Sequence, residues 1–487
     1  MATRTLTPSR YLVFADERED GFTPVYHSLF GNLTLLDRES SRWLRGQADG
    51  RAPAAEALAE LEDRFFLVPD EQDERDVIES ARSDRALNAS SGYLLKGIQL
   101  VLTNSCNLGC SYCYQDTLDP VGTIKPQAAE PAQRKPVLLP LATLRRSSPV
   151  GTMTAETACR LVRASAETVA RAGNAQLSVE FFGGEPMLAW DTVEAVLTEV
   201  GAEHEGVQIV YSMTTNATRV TPEIARTLAA AHVTVAVSYD GDGNALRTTK
   251  SKASASDMVD SGLRMLAEAG VSLNLNTVVS TKNAPQTDPE LVVGIATEVG
   301  ARQIGVILDL DAAPYADTAA MAVVMDTVLE LRRTAAAAGI GVTGYWHQVY
   351  EQMTGQLPLN LEKGYKTCAA EGAKLSFEPN GSVRSCKIAE EPLQDTGSLS
   401  RYLTSDLYLR HVDKAFKTDD ACHGCAIEGF CSGLCVGTIV KNTGDLDGVV
   451  EGACDVYREL TRRLVADWAD QDADRIVLPM VAAAVGG

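Results

Sequence analysis

Three cysteines, Cys106, Cys110 and Cys113, stand close together in TNSCNLGCSYCYQ, at the spacing C-x3-C-x2-C. Thiolates bind zinc and hold iron–sulfur clusters. A zinc site closed by protein takes four ligands, yet no histidine or further cysteine lies near; Cys159 and His204 are far along the chain. An iron–sulfur cluster also normally takes four thiolates. Three would leave one iron open to another molecule.

The elements that must position these thiols are legible as apolar runs. GIQLVLT (97–103) ends three residues before Cys106, and five further strand patterns follow at 176–182, 207–213, 233–239, 271–279 and 302–310. Amphipathic helical patterns such as TAETACRLVRASAETVARAG and SDMVDSGLRMLAEAG fall between them. This alternation predicts an α/β fold with a parallel sheet, open or curled into a partial barrel. In such sheets the chemistry collects at the C-terminal strand ends, where Cys106 stands. Residues 117–150, rich in proline and alanine, read as an inserted loop beside that face. Cys159, among apolar neighbours on a helix, reads as a core thiol.

Three more motifs follow strand ends. Gly183, Gly184, Glu185 and Pro186 come after the second strand; a glycine pair permits close backbone approach, and a carboxylate suits a cationic amine. Thr215 and Asn216 in MTTNAT follow the third strand, and Ser238 and Asp240 in SYDG the fourth. With the cysteine triplet and Tyr112 before its last member, these motifs make residues 97 to about 310 resemble the radical S-adenosylmethionine superfamily. The resemblance implies a partial (β/α)6 TIM-type barrel. It also implies a [4Fe–4S] cluster on Cys106, Cys110 and Cys113, with its fourth iron open to the methionine part of S-adenosylmethionine. Electron transfer to the sulfonium then yields a 5′-deoxyadenosyl radical. Tyr112, Gly183, Gly184, Glu185, Pro186, Thr215, Asn216, Ser238 and Asp240 are the implied cosubstrate residues.

Seven of the eleven cysteines fall between 368 and 454, in a glycine-rich region with little regular pattern. Such a region needs a staple, and metal is the staple of reducing compartments. Cys368, Cys386, then Cys422, Cys425, Cys431 and Cys435 at C-x2-C-x5-C-x3-C, and finally Cys454, resemble the SPASM domain. The resemblance implies two auxiliary [4Fe–4S] clusters, one on Cys368, Cys386 and Cys435 and one on Cys422, Cys425, Cys431 and Cys454. The total is three clusters and about twelve irons. The first auxiliary set lacks a cysteine in LEKGYKT, so its cluster is open or takes another ligand.

Before the barrel, residues 1–90 read as β-β-α-α-β-α: RYLVFA and PVYHSLF as a hairpin, helices at 39–46 and 53–63, FFLV at 65–68, and a helix at 70–85. This pattern resembles the winged-helix-like domain that recognises precursor-peptide leaders, which implies a leader added as an edge strand. The expected domains are therefore 1–90 for leader recognition, 91–345 for the barrel, and 346–487 for the SPASM region. The net charge of −21 speaks against nucleic-acid binding. No apolar run reaches the roughly 18 residues that cross a bilayer, and the N-terminus lacks a signal-peptide pattern, so a cytoplasmic location is expected.

The resulting expectation is a radical S-adenosylmethionine peptide maturase. It would take a ribosomally made precursor peptide, draw electrons from a flavodoxin or ferredoxin, and form an oxidative cyclophane-type or thioether crosslink. Oxidation or epimerisation of a residue, as in sulfatase maturation, is the alternative chemistry. A non-catalytic Fe–S or zinc peptide scaffold is the alternative class. No side-chain catalyst is named.

Overall fold

Threonine or aspartate followed by proline and glutamate opens two helices of the protein's repeating layer. At Thr221-Pro222-Glu223 and Asp288-Pro289-Glu290 the first side chain caps the helix, accepting from Ile224 N and from Glu290 N and Leu291 N respectively. Proline fits the first turn, where no N–H is needed, and the glutamate favours the positive end of the helix dipole. In this computed structural model, residues 5–47, 53–113, 151–241, 246–308, 313–344, 346–354, 372–387, 399–413, 422–431, 433–450 and 452–471 are described. The 117–150 insertion and Cys368 lie outside them.

The first region contains β1 (Leu6–Pro8), β2 (Leu12–Phe14), β3 (Phe22–His27), β4 (Leu33–Asp37), α1 (Arg38–Leu44), α2 (Ala55–Asp63), β5 (Leu67–Pro69) and α3 (Asp76–Ser90). β2, β3 and β4 form an antiparallel sheet, and β1 pairs with β5. Two strands, β1 and β4, exceed the sequence expectation. Leu12, Val25, Leu36, Leu61, Phe66 and Leu67 give this region a small core of its own.

The second region alternates β6 (Gly97–Thr103), α4 (Ala155–Arg171), β7 (Gln176–Gly183), α5 (Trp190–Glu199), a short β8 (Glu203–His204), β9 (Val207–Thr215), α6 (Pro222–Ala230), β10 (Thr234–Ser238), α7 (Ser256–Glu268), β11 (Ser272–Val279), α8 (Pro289–Glu298), β12 (Gln303–Leu308), α9 (Thr318–Ala337) and β13 (Gly341–Thr343). Apart from β8, these strands run parallel and lie side by side in chain order, β6-β7-β9-β10-β11-β12-β13. Sequential order with right-handed crossovers puts the helices on one face. Along β11 every second residue is buried and the others are half-buried. The half-buried face carries polar residues such as Asn274 and Asn276. Among the described residues no helix is long and apolar enough to cross a membrane.

The last region holds α10 (Gln348–Met353), β14 (Lys374–Phe377), β15 (Val383–Arg384), α11 (Leu399–Leu403), α12 (Asp406–Asp413), α13 (Val436–Thr443) and α14 (Ala453–Gln471). β14 pairs parallel with β6 and so extends the parallel sheet from within the expected C-terminal domain. Lys374 on β14 pairs with Glu180 on β7, which also accepts from Gln99 Nε2 and Thr214 Oγ1 at 3.1 Å each. These bonds tie the last region to the sheet.

A buried polar cluster fixes the first region. Ser9 Oγ donates to Glu74, and His27 Nε2 lies 3.1 Å from Ser9 Oγ. His27 Nδ1 accepts from Leu29 N and Phe30 N at 3.3 and 3.2 Å, so Nε2 carries the proton. The composition is that of a hydrolase triad, but here the carboxylate binds the serine and nothing reaches solvent. Burial pushes His27 down to about 4. The unfolded chain therefore takes up a proton between pH 6.5 and about 4 that the folded chain excludes. Stability present above pH 6.5 should be lost as pH falls through that window, by an amount on the order of 3 kcal/mol. Thermal unfolding followed from pH 7.5 to 4.5 should show the loss, and His27→Gln should flatten that part of the pH dependence.

Candidate active site

The C-terminal ends of β6, β7, β9 and β10 converge on the cysteine loop. The parallel pairing of β6 and β7 continues past both strands: Gly184 N donates to Thr103 O at 2.8 Å and Glu185 N to Ser105 O at 2.9 Å. Gly183 has φ +148, and a Cβ there would sit 2.4 Å from Thr103 O; one on Gly184 would sit 2.2 Å from Ser105 O. Neither position has room for a side chain. The close approach that the glycine pair permits is thus made by the cysteine loop's own backbone. Pro186 is buried and begins a short turn, Pro186–Ala189.

Glu185 is 1% exposed. Its Oε1 accepts from Thr215 Oγ1 at 2.6 Å and Met187 N at 3.1 Å, and its Oε2 from Asn216 N at 2.8 Å. Burial raises its pKa while these three donors oppose the rise. A carboxylate offers about four acceptor positions, so this chain engages most of them itself and Glu185 braces the β9 loop against β7. From that loop Asn216 Nδ2 donates to Asn107 Oδ1 at 3.1 Å and approaches Cys106 Sγ at 3.8 Å. Leu108 N donates to the same sulfur at 3.4 Å. Ala217 takes φ +58, a left-handed conformation that costs a residue bearing Cβ about 1 kcal/mol. Its carbonyl lies where any Cβ on Gly262 would be, 2.0 Å away.

On the other side of the loop, Gly109 N donates to Thr248 O at 2.8 Å and Ser111 N to Leu246 O at 2.9 Å. Tyr112 OH donates to Asp240 Oδ2, and Arg247 Nη2 donates to both, at 2.8 Å to the carboxylate. Asp240 Oδ1 accepts from Val278 N at 3.1 Å. Tyr112 and Asp240 therefore fasten the cysteine loop to β10 and β11. Arg247 was not singled out from sequence; its only signal is an arginine seven residues beyond Asp240, followed by Lys250 and Lys252. Ser238 stands opposite Asn276 on the half-buried face and is not drawn into this network.

The thiols at 106, 110 and 113 are half-buried and free. Burial pushes Cys110 up to about 11, with Arg247 the largest charge opposing it. Asn104 Nδ2, inside the turn, is buried without a partner. Among the described residues no three His, Cys, Asp or Glu side chains gather as tightly as a single metal ion requires. A soft three-thiol donor set receiving N–H donors on sulfur fits an iron–sulfur cluster.

Farther on, Cys386 follows β15 and Cys435 precedes α13; their thiols interact electrostatically, and burial pushes Cys435 up to about 11. Arg458 Nε donates to Cys425 Sγ at 3.4 Å, and the Arg458 charge also acts on Cys454. Cys431 Sγ accepts from Gly433 N at 3.3 Å, and Cys425 N donates to Cys422 O at 2.9 Å. Cys159 is buried on α4, in the core. Lys387, beside Cys386, is half-buried, with its Nζ buried 4.3 Å from the Phe182 ring centre. Burial pushes it down to about 8 against Glu378, Cys113, Glu180 and Cys386. The first cysteine set and Cys386 thus act on one ammonium.

Residues 100–287 match the model of the radical SAM superfamily. They are a radical SAM domain, a class that implies a [4Fe–4S] cluster and S-adenosylmethionine. The chain is 28% identical over 477 residues to the radical SAM cyclopropyl synthase TigE of Paramaledivibacter caminithermalis, covering 95% of this chain and 96% of that one. Its fold is shared with anSMEcpe solved with bound AdoMet, at TM-score 0.59 and 18% identity over 78% of this chain and 100% of that one. Streptococcus suis SuiB bound to precursor peptide SuiA also shares it, at TM-score 0.50 and 14% identity over 92% and 100%.

Gly184→Ala tests the packing of the loop. The methyl group would displace Ser105, so the variant should lose iron from the Cys106 set and unfold at lower temperature, both measurable on anaerobically reconstituted protein. Retention of wild-type iron would show that the loop does not depend on this contact.

Proposed function

We propose that this chain modifies a ribosomally made precursor peptide by radical chemistry, forming an intrapeptide carbon–carbon or thioether bond through net two-electron oxidation. The observation that carries the reading is a radical SAM domain within a chain similar over nearly its whole length to a cyclopropyl synthase. Similarity to that relative also favours a second form of the same outcome, a cyclopropane ring closed within one residue. Either product forms one bond and loses two hydrogens.

A [4Fe–4S] cluster on Cys106, Cys110 and Cys113, when bound, supplies one electron to the sulfonium of S-adenosylmethionine. The remaining roles fall to the chain. Glu185, with Thr215 and Asn216, holds the loop beneath the cosubstrate and keeps one acceptor position for its ammonium group. Tyr112 and Asp240 hold the other side, and Ser238 faces the ribose or the peptide. The polar half-buried face of the sheet, with Asn274 and Asn276, takes the peptide. The cysteines at 368, 386, 422, 425, 431, 435 and 454 would hold auxiliary clusters, which would supply an acceptor for the electron left on the substrate. The first region takes the leader as an added strand, and a flavodoxin or ferredoxin serves as reductant.

The test is mass spectrometry of a candidate precursor, a short peptide encoded beside this gene, after anaerobic incubation with reductant and S-adenosylmethionine. A loss of two hydrogens per bond is expected, with fragmentation placing it between residues or within one. A precursor stripped of its leader should react far more slowly. A product of unchanged mass and inverted stereochemistry would make the enzyme an epimerase and contradict the oxidative reading.

A further inference from the structure

Arg247 lies on the segment that pairs with the cysteine loop, between the two carbonyls, Leu246 O and Thr248 O, that receive the loop's N–H groups. Its guanidinium carbon is 5.7 Å from the Tyr112 ring centre, and Nη2 reaches both Tyr112 OH and Asp240. The side chains of Arg247 and Asp240 are 5% and 1% exposed. Arg247 Nε is buried and has no hydrogen-bond partner. Stability is a poor reason for this arrangement. A buried ion pair often contributes no more than an apolar replacement would, and an unsatisfied buried donor costs stability.

The charge has a nearer target. The guanidinium lies against Tyr112, which stands between Cys110 and Cys113, on the segment whose Leu246 O receives Ser111 N beside Cys110. In a low-dielectric site a fixed cation favours whichever state of a neighbouring group is more negative. A cluster that accepts one electron from an external one-electron donor becomes more negative by one charge, with no proton moved and no bond broken.

We propose that Arg247 is a positioning residue for the site at Cys106, Cys110 and Cys113: through Tyr112 and Asp240 it locks the cysteine loop to β10, and its charge favours the reduced state of a cluster held there. The proposal rests on the cluster reading given above. The same guanidinium thus fixes both the geometry and the electrostatics of the loop.

Anaerobically reconstituted wild type, R247Q, R247K and Y112F separate these roles. Each is titrated with dithionite while the cluster signal that responds to S-adenosylmethionine is followed by electron paramagnetic resonance. R247Q should keep its iron yet show a more negative midpoint potential and altered g-values. R247K should recover most of the potential. Y112F should keep the wild-type potential while amide exchange at Gly109 and Ser111 accelerates. A wild-type potential in R247Q, or a potential in R247K as low as in R247Q, overturns the assignment. If R247Q takes up no iron, R247K carries the test: regained iron with the wild-type potential upholds the proposal, and failure to regain them overturns it. Wild-type protein without iron at these thiols would instead defeat the cluster reading itself, a different signature.

Discussion

Two carbonyl oxygens, Thr103 O and Ser105 O, occupy the space where side chains at positions 183 and 184 would be. This contact lets the ends of β6 and β7 run together past the sheet edge, and the rest of the site depends on it. Glu185 follows directly, and its N–H to Ser105 O aims the side chain toward the β9 loop. The carboxylate then captures Thr215 and Asn216, and Asn216 reaches Cys106 and Asn107. One steric constraint in the backbone thereby orders three loops around the first thiol. The second and third thiols are ordered from the opposite side, by Tyr112, Asp240 and Arg247.

Six of the parallel strands were readable because each is a continuous apolar or alternating run bounded by helix caps and glycines; the seventh, β13, was not, because three residues carry no period. Gly97–Thr103 is found as expected, the next four differ from expectation by one or two residues at their ends, and the expected 302–310 strand begins at Gln303, its last two residues lying outside the described ones. β4 was missed because LTLLD directly adjoins α1, and its period is too short to separate from it. β14 was missed because a four-residue strand in a glycine-rich segment has no local signature; its partner, β6, is far away in sequence. The cysteines and the GGEP residues were legible by type and spacing. Arg247 was not, since an arginine in a loop is normally a solvated charge and only tertiary packing buries this one.

The same limit applies between the first and last regions. Glu428, three residues before Cys431, is buried; it accepts from Tyr11 OH at 3.2 Å, Arg75 Nε at 3.0 Å and Gly424 N at 3.3 Å. Gly429 leaves no room for a side chain against Ser28 O, 2.5 Å from where its Cβ would lie. Tyr26 and Phe430 pack with ring centres 6.4 Å apart. The β2–β3 hairpin therefore rests directly on the Cys422–Cys435 loop, so the region proposed to take the leader and the region proposed to hold an auxiliary cluster share a buried carboxylate. Deleting either partner would leave a charge without its donors, which is costly in a buried setting.

The proposed chemistry stands on Cys106, Cys110 and Cys113 holding a cluster whose open iron meets S-adenosylmethionine. Low-temperature electron paramagnetic resonance of the dithionite-reduced protein, before and after adding S-adenosylmethionine, tests it most directly. The expected result is a [4Fe–4S] signal whose g-values change on addition and which disappears when the three cysteines are replaced by alanine. A colourless protein carrying stoichiometric zinc, or a signal indifferent to both S-adenosylmethionine and the alanine replacements, would contradict it.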